Sequence, residues 1–437
     1  MSSASEPLNI VILGASCAGL SAFHYFNKHI LPTLPVRDNA AYHVYLVDPS
    51  TEFYWRVGGP RALASAQLMP NSKLFLPIAP HVAQYDSKTV TFLVGTAKAW
   101  DPVGRTVTIS TGESTTTTTT TTADEKPDAT QVLTYHALIL ATGTRTPSPL
   151  LSLHTTAEES KTALSAFRSR LGSAKSILVA GGGPSGVEAA GELGEYLNGR
   201  ASFFTFGPLK NPKVPVTLAT DGDKILPALR PAIAADAEKL LGRVGVTTMH
   251  NARMESATEN ADGTTTVVLG NGDTVTVDLF VKATGVMPNT EFVPEELKTA
   301  KGYVKTNAKT LRVDEAGERV YALGDVGSYT RGGVMDIFDA APVCMTNVKR
   351  DLHAWAKAVG EKEGVKPKGT DREYKANEKE TQIVPIGQSK GVGAVFGWKL
   401  PSFMVWMIKG RDYLASTGVQ LVSGSKWQKE SKWKLDA

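Results

Sequence analysis

Two glycine-rich turns are the part of this sequence best suited to chemistry. Their residues are Gly14-Ala15-Ser16-Cys17-Ala18-Gly19 and Gly181-Gly182-Gly183-Pro184-Ser185-Gly186. A turn of this kind that leads into a helix directs backbone N–H groups and the positive end of the helix dipole at a pyrophosphate. One dinucleotide needs only one such turn. Two turns therefore predict two dinucleotides, and the usual reason to hold two is to pass electrons between them.

The predicted elements around the turns are a strand before each and a helix after each. Apolar runs at 9–13 and 176–180 precede the glycines, and small-residue helical patterns follow them. This is the strand–turn–helix context that the fingerprint requires. A lone match is weak evidence because glycine turns are common, whereas two matches in this context are specific.

The end of the next predicted strand indicates what the ribose of the first dinucleotide would meet. The strand at 42–47 ends in Asp48, and an acid at this position accepts hydrogen bonds from ribose hydroxyls. The gap from the first turn exceeds the usual ~20 residues because a connection at 31–41 is inserted. Asp48 is thus predicted to bind the ribose.

The corresponding strand of the second unit, 216–219, ends in Thr220. Asp221 and Asp223 follow, with Lys224 beyond them. An acid here favours NADH because it bonds the 2′-hydroxyl and repels a 2′-phosphate, while a base favours NADPH. These signals conflict, so the sequence leaves the coenzyme preference open.

Both units also close in the same way. Apolar strands at 137–140 and 279–283 deliver Ala141-Thr142-Gly143 and Ala283-Thr284-Gly285. Glycine lets the chain turn closely past a bound nucleotide. A last strand near 320 leads to Gly324-Asp325 and then to a helix predicted from about 335 to 359. A carboxylate at such a turn can accept a ribityl hydroxyl, and the helix N-terminus favours negative charge on a reduced flavin ring.

Composition limits the class of protein. The chain has 437 residues, 42% of them apolar and 21% charged, as in ordinary globular proteins, and a formal charge of +4 that gives little support to nucleic-acid binding. Its two cysteines, Cys17 and Cys344, form no C-x-x-C pair, which excludes a redox dithiol and fits a reducing, cytoplasmic compartment. No metal-ligand spacing, secretory signal or membrane-spanning run is present.

The segment from 89 to 135 changes to short β-rich runs. We expect the runs at 90–94, 106–109 and 131–134 to form an antiparallel excursion. The threonine tract at 115–122 cannot bury a face, so it is predicted to be a mobile hairpin tip without a catalytic part.

In their order along the chain, the two fingerprints, Asp48, both Ala-Thr-Gly segments and Gly324-Asp325 resemble the pyridine-nucleotide flavoprotein oxidoreductases with two dinucleotide-binding domains. The resemblance spans roughly 8 to 345. Within that superfamily the chain is most similar to the apoptosis-inducing-factor-like branch, which includes ferroptosis suppressor protein and fungal AIF-like oxidoreductases. The narrower resemblance rests on 53–63, 224–227, 391–397 and 403–413.

The resemblance implies an α/β fold with two Rossmann-like domains and a small C-terminal cap. The FAD domain would comprise residues 1–152 and 300–345, the NAD(P)H domain 153–299, and the cap 346–437. Hydride from NAD(P)H would pass to non-covalent FAD and the electrons to a quinone or another lipophilic acceptor, with no protein nucleophile and no metal. Ser16 replaces the second glycine of the usual fingerprint, a change small enough to preserve FAD binding.

The resemblance also implies a set of binding residues for each coenzyme. Those assigned to FAD are Gly14, Ser16, Ala18, Gly19, Asp48, Arg61, Ala97, Ala141, Thr142, Gly143, Gly324 and Asp325. Those assigned to NAD(P)H are Gly181, Gly183, Pro184, Ser185, Gly186, Glu188 and Gly285. Glu188 would orient the nicotinamide ribose, with an ordinary first-turn acid as the alternative. Arg61 would contact the isoalloxazine or the pyrophosphate, with a solvated cation as the alternative.

The tail allows two interpretations. Phe403, Trp406, Met407 and Tyr413 recur at roughly helical intervals beside Lys409 and Arg411. They either pack against the FAD domain or form an interfacial face that admits a quinone, with peripheral attachment to an intracellular membrane or lipid droplet. Two other functions stay open, a slowly turning redox sensor and a flavin-dependent tailoring enzyme or electron donor. The chain would act as a monomer or homodimer.

Overall fold

The computed structural model describes residues 7–35, 40–112, 129–200, 207–358 and 367–433. The strands in these ranges are β1 Leu8–Leu13, β2 Tyr42–Asp48, β3 Glu52–Tyr54, β4 Phe75–Pro77, β5 Val90–Val94, β6 Thr96–Asp101, β7 Thr106–Ser110, β8 Thr130–Thr134, β9 Ala137–Leu140, β10 Thr144–Arg145, β11 Ile177–Ala180, β12 Val216–Ala219, β13 Val246–Met249, β14 Met254–Glu259, β15 Thr265–Leu269, β16 Thr274–Val277, β17 Leu279–Lys282, β18 Met287–Pro288, β19 Val320–Ala322, β20 Gln382–Ile386, β21 Lys390–Val395 and β22 Trp398–Lys399.

The α-helices in the described ranges are α1 Cys17–Tyr25, α2 Gly59–Ala64, α3 Asn71–Leu74, α4 Ala79–Val82, α5 Ala157–Leu171, α6 Pro184–Asn198, α7 Pro231–Gly242, α8 Val334–Lys357, α9 Ser402–Val405 and α10 Ala415–Val422. Two π-helical segments, Phe26–Ile30 and Trp406–Gly410, continue α1 and α9. None of the described helices combines the length and apolar character needed to cross a bilayer.

The first sheet is parallel, with the strand order β19-β9-β1-β2-β5. Its central strand β1 is buried on both faces, which is why its sequence is a continuous apolar run and not an alternating one. The strand order reverses at β1, because β2 pairs on one side and β9 on the other. In open sheets of this kind ligands bind at the carboxyl ends of the strands beside that reversal.

One predicted strand is paired differently from the prediction. β5 does not join the antiparallel excursion; it pairs in parallel with β2, with Val44 opposite Val90, as the edge of the first sheet. The antiparallel sheet is β6-β7-β8 alone. A short apolar run indicates a strand but not its partner, which explains the error. The threonine tract lies outside the described residues.

The second sheet repeats the plan of the first. It is parallel, with the order β13-β12-β11-β17, so its central strand β11 again has neighbours from both directions of the chain. The antiparallel sheet β14-β15-β16 packs against one face. The two-stranded ribbon β10-β18 joins the two units. The α/β fold with two Rossmann-like units is therefore confirmed.

The cap consists of the antiparallel sheet β20-β21-β22 followed by α9 and α10. The predicted boundary between residues 345 and 346 falls within α8, a continuous helix, so the fold has no break there. β20 lies against α6, where a Cβ added to Gly191 would lie 3.0 Å from the Ile386 Cα. The missing side chain thus lets the cap strand approach the helix closely.

One cluster of buried apolar residues joins the first Rossmann-like unit, the second Rossmann-like unit and the cap. It includes Leu63 from α2, Val187 and Leu193 from α6, and Ile386 and Tyr413 from the cap. All five are at most 1% exposed. Separating the units would expose this shared core to water, at a cost of about 25 cal/mol per Å² of apolar surface. The core therefore opposes independent movement of the units.

Candidate functional site

The first turn joins β1 to α1, and its first and last positions have no room for a residue larger than glycine. Gly14 has φ +102°, and its N–H donates to the Val47 carbonyl at 2.7 Å. A Cβ on Gly19 would lie 1.7 Å from the Gly14 oxygen. The helix starts at Cys17, so its first amides have no intrahelical acceptor and are free for an anion. Ser16 is exposed beside them, and Ala18 is buried beneath.

Asp48 holds this turn from the end of β2. Its Oδ2 accepts the Ala15 N–H at 2.6 Å, and its Oδ1 accepts the Ser50 N–H at 2.8 Å. Burial raises the pKa of Asp48 to about 6, and the two backbone hydrogen bonds oppose that rise. The carboxylate is therefore fixed at the carboxyl edge of the sheet, where the sequence predicted a ribose acceptor.

The remaining residues assigned to FAD lie around the same edge. The Ala141 N–H donates to the Leu13 carbonyl at 2.8 Å. Gly324 has φ +80° and lies against Ala18, where a Cβ would come within 2.7 Å of the Ala18 Cβ. Asp325 Oδ1 accepts the Gly333 N–H at 3.0 Å, one residue before α8 begins.

Thr142 and Gly143 link the two units. Thr142 Oγ1 donates to the Asn289 carbonyl, and the Asn289 side-chain amide donates to the Thr142 carbonyl, both at 2.8 Å. The Asn289 N–H donates to the Gly143 oxygen at 3.0 Å. Ala97, on β6, packs against the core that covers one face of the first sheet. The first closing segment is therefore part of the junction between the units.

The second turn repeats the first at atomic detail. Gly181 has φ +128° and donates to the Ala219 carbonyl at 2.8 Å, and a Cβ on Gly186 would lie 1.9 Å from the Gly181 oxygen. Gly183 and Gly285 face open space. This open space beside the N-terminus of α6 suits a second dinucleotide, as the first turn suits its own.

Three features of the second turn differ from the first. Pro184 is the first residue of α6 and carries no N–H, and Ser185 next to it is exposed. Thr220 takes the place of an acid and is buried against Gly182. The Leu226 N–H donates to the Gly182 carbonyl at 2.7 Å, so the 224–227 segment supports this turn from below.

Glu188 lies one turn into α6 and is paired with a residue of the cap. Its Oε1 accepts a hydrogen bond from Lys409 Nζ at 2.5 Å, and both side chains are largely buried. Burial raises the pKa of Glu188 to about 7, although Lys409 opposes the rise. The sequence did not single out Lys409 as a site residue; its only signal was a cation four residues before Tyr413.

Arg61 is buried at the junction of α2, α6 and the cap. Its Nε and Nη2 donate to the Glu192 carboxylate, with the shortest contact at 2.7 Å, and its Nη1 donates to the Arg411 carbonyl. The guanidinium also lies 4.6 Å from the centre of the Tyr413 ring. Arg61 is 3% exposed. Arg61 is therefore not a solvated cation: it joins α2, α6 and the cap.

The two cysteines are free, and they lie in different places. Cys17 begins α1, and Cys344 is buried within α8. Burial raises the pKa of both thiols, and Asp325 adds to the rise at Cys17. A protonated thiol is a poor nucleophile, so neither cysteine is suited to thiol–disulfide exchange.

Comparison with known proteins agrees with this geometry. The model of the pyridine nucleotide-disulphide oxidoreductase family matches residues 8–361. The chain is 44% identical to the oxidoreductase phnG of Penicillium herquei, over 98% of this chain and 99% of that one. It is 30% identical to the oxidoreductase ptaL of Pestalotiopsis fici, over 92% and 95% of the two chains.

Among solved structures, the fold is similar to the sulfide:quinone oxidoreductase from Aquifex aeolicus. The TM-score is 0.67 with 13% sequence identity, and the match covers 95% of this chain and 92% of that one. An identity this low supports the shared fold alone.

Proposed function

Because the chain belongs to the pyridine nucleotide-disulphide oxidoreductase family, we propose that it is an FAD-dependent NAD(P)H oxidoreductase that reduces a quinone-type acceptor. The observation that carries this proposal is the pair of matching turns. Each lies at the carboxyl edge of its own parallel sheet, and Thr142 and Asn289 join the two edges by reciprocal hydrogen bonds.

FAD is assigned to the first turn and NAD(P)H to the second. FAD would lie along Gly14–Gly19 with Asp48 at its ribose and Asp325 at its ribityl chain, and NAD(P)H along Gly181–Gly186. When bound, the flavin supplies two-electron chemistry between the nicotinamide and an acceptor. The contribution of the protein is to fix the two turns relative to each other so that the rings meet at reacting distance.

Glu188, held in place by Lys409, is proposed to bind and release a proton. Reduction of a quinone takes up two protons with its two electrons. A carboxyl group whose pKa is raised to about 7 binds and releases a proton easily near neutral pH. The hydrogen bond from Lys409 Nζ to Glu188 Oε1 fixes this carboxyl on the cap side of α6.

A quinone-type acceptor is favoured over a disulfide. The two thiols are unsuited to exchange, and a quinone needs no protein nucleophile. We also propose that the chain belongs to the AIF-like branch, because of the sequence segments described above. We further propose that it acts in a reducing, cytoplasmic compartment, because both of its cysteines are free.

The test is steady-state turnover of purified holoprotein with NADH or NADPH and a short-chain quinone. We expect multiple turnovers, and a ~10²-fold lower rate in Glu188→Gln with flavin content unchanged. The matched control is Glu238→Gln, on α7, whose carboxylate pairs with His250. Reduction of the flavin to a stable complex without turnover would contradict the proposal and support a redox sensor.

A further inference from the structure

The cap has an exposed apolar face on α9 and the π-helical turn after it. Phe403, Trp406 and Met407 are 65%, 40% and 51% exposed, whereas Val405 between them is fully buried. These side chains are spaced three and four residues apart, so they lie on one side of the helix. The cap therefore packs into the fold with one side and leaves the other side apolar in water.

A second exposed apolar group belongs to the same small unit. Phe396 and Trp398 flank Gly397 at the turn between β21 and β22, and they are 61% and 79% exposed. The Ser402 hydroxyl accepts the Gly391 N–H at 2.9 Å, which ties the start of α9 to β21. Exposed aromatic rings cost free energy in water unless another surface covers them.

The charge of this segment indicates what covers it. Between Glu380 and Asp412 the sequence contains no acidic residue, and its cations are Lys390, Lys399, Lys409 and Arg411. Lys409 forms an ion pair with Glu188, and Lys399 forms one with Asp236. Lys390 is exposed, and the Arg411 side chain is 66% exposed with its nearest carboxylate 3.9 Å away.

We propose that this face of the cap docks on an anionic lipid surface. We call it the docking face and define it as Phe396, Trp398, Phe403, Trp406 and Met407, with Lys390 and Arg411. Aromatic rings enter the headgroup boundary, and cations bind lipid phosphates. A second copy of the chain fits less well, because self-pairing would bring the same cations together.

The docking face adjoins a cavity of about 330 Å³. Its lining includes Trp406 and Arg411 from the docking face and the buried Arg61. Three of the seven lining residues are arginines, and two more have polar side chains. A polar, cationic lining of this kind suits the phosphate groups of an anionic lipid surface.

The test is flotation of the holoprotein with vesicles of phosphatidylcholine alone and of phosphatidylcholine with phosphatidylglycerol. We expect binding to the anionic vesicles that weakens with salt, and a blue shift of tryptophan fluorescence. Phe403→Ser with Met407→Ser should reduce binding at least ~tenfold, and Lys390→Gln about fivefold. Val103→Ser is the matched control, because Val103 is 94% exposed on the β6–β7 turn.

Three outcomes would overturn the proposal. The first is no flotation of wild-type protein at low salt. The second is equal binding by wild type and the Phe403→Ser/Met407→Ser variant. The third is a dimer in light scattering that this variant dissociates, which assigns the face to a second copy. Flotation requires no acceptor, so a protein that floats but reduces no quinone refutes the proposed function and leaves the docking inference intact.

Discussion

The two nucleotide-binding turns share a backbone and differ in what surrounds it. In both, the first glycine has a positive φ and the last leaves no space for a Cβ, which would come within 1.7 and 1.9 Å of a carbonyl oxygen. At the first turn, Asp48 supplies a carboxylate, and Cys17, the first residue of the helix, has an N–H. At the second turn the equivalent residues are Thr220, which has no carboxylate, and Pro184, which has no N–H.

Shared geometry identifies the kind of ligand, while the surroundings decide how tightly it is held. A pyrophosphate needs the first and the last glycine in either turn. A charge-assisted hydrogen bond to a ribose contributes about 1.5–3 kcal/mol, and only the first turn offers one from a strand-end carboxylate. This difference suits a resident FAD at the first turn and an exchangeable coenzyme at the second.

The largest effects on coenzyme binding are expected from filling the two glycine contacts separately. Gly19→Ala should weaken FAD binding by at least ~tenfold, about 1.4 kcal/mol, because its Cβ collides with backbone. Gly186→Ala should leave the flavin bound and weaken NADH binding by a similar factor. Flavin content by absorbance and NADH titration by fluorescence measure the two effects. If each variant lost both coenzymes equally, the assignment of one turn to each would be wrong.

A pH-dependent effect should appear at the first turn. Folding raises the pKa of Asp48 from 3.8 to about 6, so between those values the folded cofactor-free protein binds more protons than the unfolded chain. Its stability should therefore fall as pH rises through this window, by up to about 3 kcal/mol from this group.

Urea unfolding of wild type and Asp48→Asn at pH 4.5 and 7 measures this contribution. The variant should lack that part of the pH dependence. Thr220→Val, at the equivalent place in the second turn, is the control and should keep it. The same pH dependence in wild type and Asp48→Asn would contradict the assignment.

A smaller effect concerns the coenzyme. Asp221 and Asp223 are exposed after β12, and the Lys224 amine is turned inward, donating to the Leu229 carbonyl at 2.6 Å. Repulsion of a 2′-phosphate by two solvated carboxylates about 6 Å away, at ~0.7 kcal/mol each, predicts about tenfold tighter binding of NADH than NADPH. Titration with both coenzymes tests this, and Asp221→Asn with Asp223→Asn should narrow the ratio. A preference for NADPH would show that other cations reach the phosphate.

The smallest effects should come from exchanging the middle residues of the turns. Ser16 is exposed and Gly183 has open space where a Cβ would lie. Ser16→Gly and Gly183→Ser should each change coenzyme affinity by less than about 0.5 kcal/mol. The same titrations detect this, and a large loss in either variant would mean that the pyrophosphate contacts this position directly.

The sequence predicted the parts of the fold that local pattern determines. Continuous apolar runs identified the central strands β1 and β11, and the glycines identified the turns, because buried parallel strands and tight turns each restrict residue type. The same reasoning assigned β5 to the wrong sheet, since an apolar run does not specify its partner.

The side-chain pairs that sequence reasoning missed join residues far apart in the chain. Lys409 lies 221 residues from Glu188, and Arg61 lies 131 residues from Glu192. These pairs exist because the cap and α2 pack on the same helix, which depends on the whole tertiary structure. The helical spacing of Phe403, Trp406 and Met407 was a local sign that the cap could carry a separate surface.

The most direct test of the central claim is an anaerobic titration of purified holoprotein with NADH, followed through the flavin absorbance. Wild type should bleach stoichiometrically, and Gly186→Ala should retain its flavin yet bleach only at much higher NADH concentration. Failure of wild-type flavin to bleach, or bleaching of Gly186→Ala at wild-type NADH concentrations, would contradict the division of roles between the two turns.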